Sequence, residues 1–201
     1  PRQLDGVSFA SVVPQITSRV LQACQQYLHK EAFVVDNEVK TGIQILYDDP
    51  KAVGADRIVD AVAAMTLYGG PVCIVDFGTA TTFNGVTAKG EYLGGAIAPG
   101  IGIALDALVS RTSKLYRVEL RKPPAVIGRN TTHALQSGLV FGYVSLVEGM
   151  IARFRQELGD DMKAVATGGL SEIIAPETKS IQFTNPWLTL EGLRILWDMN
   201  H

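Results

Sequence analysis

Val72-Cys73-Ile74-Val75-Asp76-Phe77-Gly78-Thr79-Ala80-Thr81-Thr82 is the stretch on which the reading of this chain turns. Four apolar residues, Val72 to Val75, stop at the carboxylate of Asp76, and a glycine and hydroxyl residues follow. A buried strand hands an acidic side chain to a turn at its tip in this way. Gly78 lets backbone N–H groups approach a ligand, and Thr79 adds a hydroxyl beside them. The ligand such a turn suits is a phosphate with its cation. Turn chemistry alone also favours Asp-x-Gly-Thr, so the neighbouring sequence has to decide. Thr82 to Thr87 and Glu91 to Ile97 read as strands around Ala88-Lys89-Gly90, which places a hairpin directly after the turn.

Upstream, Val7-Ser8-Phe9-Ala10-Ser11-Val12-Val13-Pro14 reads as a strand from the middle of a sheet. A helix over Thr17 to Leu28, with Val20, Leu21, Cys24 and Leu28 on one face, leads to a short strand at Ala32 to Val35. A polar loop, Asp36 to Lys40, and an extended piece, Ile43 to Tyr47, precede Asp48-Asp49-Pro50. Ile58, Val62 and Met65 at helical spacing predict a helix over Arg57 to Tyr68, stopped by Gly69-Gly70-Pro71. Asp56 falls at its N-terminus, where an N-cap role is the plain structural reading.

Downstream, Pro99-Gly100-Ile101-Gly102 turns the chain into a helix over Ile103 to Thr112, and a long connection runs to Pro123-Pro124. Thr132 to Leu158 reads as one long helix, or two end to end. It carries an apolar stripe, from Leu135 to Ile151, and a second stripe of small residues, Gly138, Gly142, Ser145 and Gly149. Several glycines on one helix face mark a surface that something approaches closely, either the protein's own sheet or a second subunit. Lys163 to Ala166 is a short strand ending in Thr167-Gly168-Gly169, with a helix over Leu170 to Ala175 beyond it. Thr189 is placed to cap the last helix, and Trp187 and Trp197 read as packing residues.

With 201 residues, 47% hydrophobic and 19% charged, the chain is long enough to bury a sizeable core. A net charge of -2 provides no positive field for nonspecific nucleic-acid binding, so no nucleic-acid partner is expected. Apolar stretches are interrupted by Gly, Asp or Glu before the ~20 residues of a membrane span, and the N-terminus has no signal-peptide pattern. The expectation is a cytoplasmic protein with no membrane partner. Cys24 and Cys73 form no Cys-x-x-Cys and read as reduced, small hydrophobes; His29, His133 and His201 show no metal spacing.

Strand, Asp-x-Gly-Thr and hairpin together resemble the phosphate loop of the acetate and sugar kinase, Hsp70 and actin superfamily. Within it, Gly54-Ala55-Asp56-Arg57 with Tyr47 seven residues before Gly54, Asp76 to Thr79, Gly94 to Gly100 and Gly128-Arg129-Asn130-Thr131 closely resemble the type III pantothenate kinases. Gln136-Ser137-Gly138, Ala166 to Leu170 and Leu188 to Leu193 continue the likeness in one order along essentially the whole chain.

The resemblance implies an α/β fold of the actin-like (ribonuclease H-like) kind, with two related domains and the active site in the cleft between them. Residues 1–68 would be the remainder of the N-terminal domain and residues 71–201 the C-terminal one. It implies phosphoryl transfer from ATP to the primary hydroxyl of pantothenate, giving 4'-phosphopantothenate on the route to coenzyme A. Asp56 would accept the hydroxyl proton, and Tyr47, Gly54, Ala55, Asp56, Arg57 and Thr131 would contact pantothenate. Thr79 would contact ATP, Asp76 would hold a monovalent cation such as potassium or ammonium, and magnesium would accompany ATP. Thr167-Gly168-Gly169 resembles an adenosine-binding loop, and a homodimer is implied.

Arg57 suits its part physically, because a guanidinium fork pairs with a carboxylate in a bidentate way. The alternatives are a noncatalytic regulatory relative of the same fold, or a phosphotransferase or phosphatase with another acceptor. The chain opens without a methionine, and family members begin with an Asp-x-Gly-Asn-Thr strand and hairpin. The N-terminal domain is therefore expected to be incomplete here, its first phosphate loop preceding Pro1.

Overall fold

The computed structural model describes residues 4–11, 13–36 and 39–201. Val12 of the expected opening strand, and Asn37 and Glu38 of the polar loop, lie outside the described residues. The opening strand itself is short, β1 (Val7–Phe9). It is followed by α1 (Pro14–Ala23), which passes into a π-helical turn, Cys24–Leu28, and ends where His29 takes a left-handed φ of 53°. β2 (Ala32–Val34) pairs in parallel with β1, and the two form a small sheet of their own.

Among the described residues the main sheet has six strands. β3 (Gln44–Ile45) follows the polar loop, and helix α2 (Ala55–Tyr68) leads into β4 (Val72–Phe77). β5 (Ala80–Val86) and β6 (Glu91–Pro99) complete an antiparallel meander with β4, and α3 (Ile101–Arg111) and α4 (Thr131–Leu158) come next. β7 (Lys163–Thr167), α5 (Ser171–Ile174), β8 (Phe183–Thr184) and α6 (Leu188–Asn200) finish the chain. The strand order is β3-β6-β5-β4-β7-β8, with β3–β6, β4–β7 and β7–β8 parallel.

Side chains alternate across β4, and this divides the core in two. Cys73, Val75 and Phe77 face a layer built from α4, whose Leu139, Val140, Val144, Val147 and Ile151 are buried against them. Val72 and Ile74 face the other layer, in which α2 contributes Ile58, Val59 and Val62 and α6 contributes Leu188, Ile195 and Leu196. Gly192 allows α2 and α6 to touch backbone to side chain, since a Cβ there would overlap the Val59 carbonyl. Burial of a side chain such as Ile58, 1% exposed, contributes about 1.5–3 kcal/mol.

Strand, helix and parallel strand occur twice: β1-α1-β2, with β3 intervening before α2, and β7-α5-β8, followed directly by α6. These two helices, α2 and α6, pack on each other.

Several expectations are corrected. β4 runs two residues further than the apolar run, so Asp76 lies within the strand, opposite Thr82 and Thr167, and not in the turn. Gly54, not Asp56, is the N-cap residue of α2, with Asp56 in the first turn. Thr189 does not cap α6; its hydroxyl donates to Asp60 Oδ1 at 2.7 Å. Trp187 is 66% exposed, whereas Trp197 packs as expected, stacked on His201 and edge-on to Phe33.

α4 is one helix, and by length and composition alone it is apolar enough to cross a membrane, although the expectation from the interrupted apolar stretches was that no segment would be. In the fold its apolar stripe is core, and Gln136 is buried with its amide donating to the Glu119 carbonyl. Its small-residue stripe does not face the protein's own sheet. A Cβ added at Gly138 or Gly142 meets nothing within 4 Å.

Candidate active site

The first turn of α2 and the face of the sheet beneath it bring most of the expected residues together. Gly54 carries an extended φ of -60° and ψ of 140°, and its carbonyl accepts from the amides of Arg57 and Ile58, opening the helix. Asp56 is exposed, with Oδ1 accepting from the Arg57 amide at 2.8 Å. An acidic residue in a first turn is favoured by the helix dipole. Asp56 therefore has a local reason to be ordered and a second oxygen that faces away from that bond.

Arg57 turns towards the sheet. Its Nε donates to Asn84 Oδ1 at 2.7 Å, and its guanidinium lies 5.9 Å from the Tyr47 ring centroid and 5.8 Å from that of Tyr92. Such flanking rings stabilise a cation through their π faces. Arg57 has no ion-pair partner among the described residues, and its Nη2 is buried without a hydrogen-bond partner. Tyr47 reaches this position because Gly94, at φ +116°, leaves room for its ring: a Cβ there would stand 2.9 Å from Tyr47 Cε2.

Asp76 is half-buried on the same face of the sheet, directly opposite Thr82 and Thr167 on the two neighbouring strands. Burial, and secondarily the charge of Asp56, raise its pKa from 3.8 to about 6. Beneath Asp56, one helical turn on, Asp60 is 2% exposed. Burial pushes its pKa up to about 7 against the Thr189 hydrogen bond, which lowers it, with Asp76 and Asp56 adding to the rise. A positive charge at Asp76 would relieve this repulsion. The neighbouring Thr167 Oγ1, buried without a partner, provides a second oxygen, and the residues therefore fit a cation. Among the described residues no group of three or more His, Cys, Asp or Glu is placed to hold a metal.

Thr79 is exposed in the β4–β5 turn, whose Gly78 amide is engaged by the Ala80 carbonyl at 3.1 Å. Gly100 packs directly on this turn. Gly168, at φ +87°, lies over the Asp76 side chain. Thr131 is not brought to the Asp56–Arg57 turn. It opens α4, in the layer on the opposite face of the sheet, with Asn130 Oδ1 capping by accepting from the His133 amide at 2.8 Å.

Sequence reasoning missed Asn84 and Tyr92. Both are fully buried, and Tyr92 donates its hydroxyl to the same Asn84 oxygen at 2.8 Å. The signal was present in the alternation of β5, where a polar Asn84 falls at a position otherwise reserved for core. Asp60 was missed as well, because an Asp one turn inside an amphipathic helix reads as surface.

A carboxylate, a guanidinium without an ion-pair partner and a phosphate-type turn beside the end of the central strand β4 are the parts that a phosphotransferase uses. The type III pantothenate kinase family model matches residues 1–153. Type III pantothenate kinases of Roseiflexus sp. (strain RS-1) and Myxococcus xanthus (strain DK1622) are each 51% identical over 200 and 201 residues, covering 100% of this chain and 78% of theirs. The Moorella thermoacetica protein of that name is 51% identical over 199 residues, again 78% of its length. The chain belongs to the type III pantothenate kinase family. In fold it is similar to a Campylobacter jejuni protein assigned to the Baf family of transcriptional activators, with a TM-score of 0.65 at 22% identity over 98% of this chain and 84% of that one.

Proposed function

We propose that the Asp56–Arg57 turn is where pantothenate is held and activated for phosphorylation by ATP. The observation that carries this reading is the Arg57 guanidinium: flanked by two aromatic rings and lacking any carboxylate partner among the described residues, it is a cation prepared for an anion. Pairing with the pantothenate carboxylate fixes one end of the substrate. The primary hydroxyl at the other end is then presented to Asp56, which takes its proton as the hydroxyl oxygen attacks the γ-phosphorus and the β–γ bridging bond breaks. Tyr47, Gly54 and Ala55 line the path between.

Thr79 and the β4–β5 turn face the phosphates, and the Gly168–Gly169 turn faces the nucleoside. A monovalent cation at Asp76 supplies positive charge beside the phosphates, and magnesium arrives with ATP. The recurrence of strand, helix and parallel strand, each time with a helix later in the chain that packs in one shared layer, supports two related halves divided near residues 68–71. Thr131 and the open glycine face of α4 lie together on one helix, which supports a homodimer as the state in which Thr131 meets substrate.

The test is direct: full-length protein with pantothenate, ATP, magnesium and potassium, with formation of 4'-phosphopantothenate followed by mass. Absence of product while the folded protein still binds ATP would sink the reading.

A further inference from the structure

We infer that Asn84, with Tyr92 behind it, is the residue that makes this site select an acid over its neutral analogue, by holding Arg57 in place without neutralising it. This rests on the reading of Arg57 as the carboxylate contact.

Asn84 is fully buried in β5, among the side chains that α2 covers. Its Oδ1 accepts twice, from Arg57 Nε at 2.7 Å and from the Tyr92 hydroxyl at 2.8 Å. Its Nδ2 donates to Thr82 Oγ1 at 3.1 Å, which fixes which end of the amide faces the guanidinium. The Tyr92 hydroxyl is protonated at neutral pH and donates, and burial moves it further from ionisation, to about 12, against the lowering effect of Arg57.

An arginine drawn onto a buried strand is usually met by Asp or Glu, because a buried charge demands compensation. Asn84 supplies the same hydrogen bond with no charge. The guanidinium is thus oriented through Nε and flanked by Tyr47 and Tyr92, while no carboxylate among the described residues offsets its positive charge and its Nη2 has no hydrogen-bond partner. A neutral acceptor at this point separates two tasks that a carboxylate would merge: positioning the cation, and neutralising it. The ligand class follows, namely a small molecule whose recognised end is an anionic carboxylate and not an amide or ester.

Asn84→Asp tests this on the full chain. The substitution is nearly isosteric and converts the Arg57 contact into an internal ion pair. KM for pantothenate is expected to rise about 10- to 100-fold, the scale of losing a charged hydrogen-bonded contact. KM for the neutral pantothenamide should change less than about 3-fold, with kcat for both retained, so the preference for the acid collapses. A general loosening of the fold would weaken both substrates together. Tyr92→Phe keeps the ring and removes one donor to Asn84, and should raise KM for the acid alone, by about 3- to 10-fold. An unchanged acid-to-amide preference in both variants, with wild-type turnover of pantothenate intact, overturns the inference and leaves the assigned reaction standing. If the wild-type protein shows no preference for the acid, the carboxylate role of Arg57 itself falls.

Discussion

Gly168 crosses the Asp76 carboxylate so closely that a Cβ at position 168 would overlap Asp76 Oδ1. Asp76 lies in β4 and Gly168 directly follows the neighbouring parallel strand β7, so their contact covers one side of the half-buried Asp76 carboxylate. With φ at +87°, residue 168 also has a backbone conformation that suits glycine. Gly168 thus joins the nucleotide-side turn to the proposed cation ligand.

Cation activation should therefore fade in acid. Asp76 titrates near pH 6, so protons compete with the cation below that value. The potassium concentration giving half-maximal rate is expected to rise as pH falls from 7.5 to 5.5, and Asp76→Asn should remove potassium dependence. A half-saturation value constant across that range would exclude Asp76 as the ligand.

Asp56→Asn should lower kcat by roughly 10²- to 10⁴-fold, the scale of losing a general base. Stability should hardly move. Gly54 occupies the cap, so the substitution forfeits only a first-turn charge worth about 0.3–1 kcal/mol. Full activity in the folded variant would remove Asp56 from the chemistry.

Arg57→Lys keeps a charge but loses the Nε bond to Asn84 and the planar fork. KM for pantothenate is expected to rise with little change in KM for ATP. Equal losses for both substrates would point instead to a displaced α2.

The carboxyl of Asp60 gives a stability signature with a definite sign. Its folded pKa of about 7 exceeds the ordinary 3.8, so between those values the native state binds a proton that the unfolded chain does not. Stability from this group is complete at low pH and declines as pH rises through about 7. Asn mimics the protonated form and still accepts from Thr189. Asp60→Asn should thus match wild type in Tm near pH 4 and exceed it at pH 8, by on the order of a few kcal/mol in unfolding free energy. A constant gap at all pH values would contradict the assignment.

Gly142→Leu places a side chain where nothing lies within 4 Å. The isolated subunit should keep its Tm or gain slightly from better helix propensity. If the face is a subunit seam, the variant elutes as a monomer while the parent elutes as a dimer; unchanged dimer size excludes this face.

The periodic parts of the fold were legible because period and burial coincide. α2, the β4–β5–β6 meander and α4 stand within about two residues of where spacing put them. Asp76 was read as the strand's end, since a carboxylate breaks an apolar run, yet pairing with Thr82 and Thr167 carries the ladder through Phe77. Local sequence also assigned Thr189 to its own helix, whereas its hydroxyl is claimed by a residue 129 positions away. The residues at the Asp56 turn were marked by motif, but the partners that aim Arg57 are isolated polar side chains on strands, whose meaning appears only when strand and helix meet.

The Thr189–Asp60 contact also has a consequence for how the chain is made. During synthesis α2 leaves the ribosome long before α6 exists, and until then Val59 and its neighbours lack the helix that covers them. At ordinary elongation rates that interval lasts on the order of ten seconds. Throughout it the apolar face of α2 lacks Leu188, Ile195 and Leu196, and the Asp60 carboxylate lacks its Thr189 bond, so this half of the core closes only when the last helix arrives.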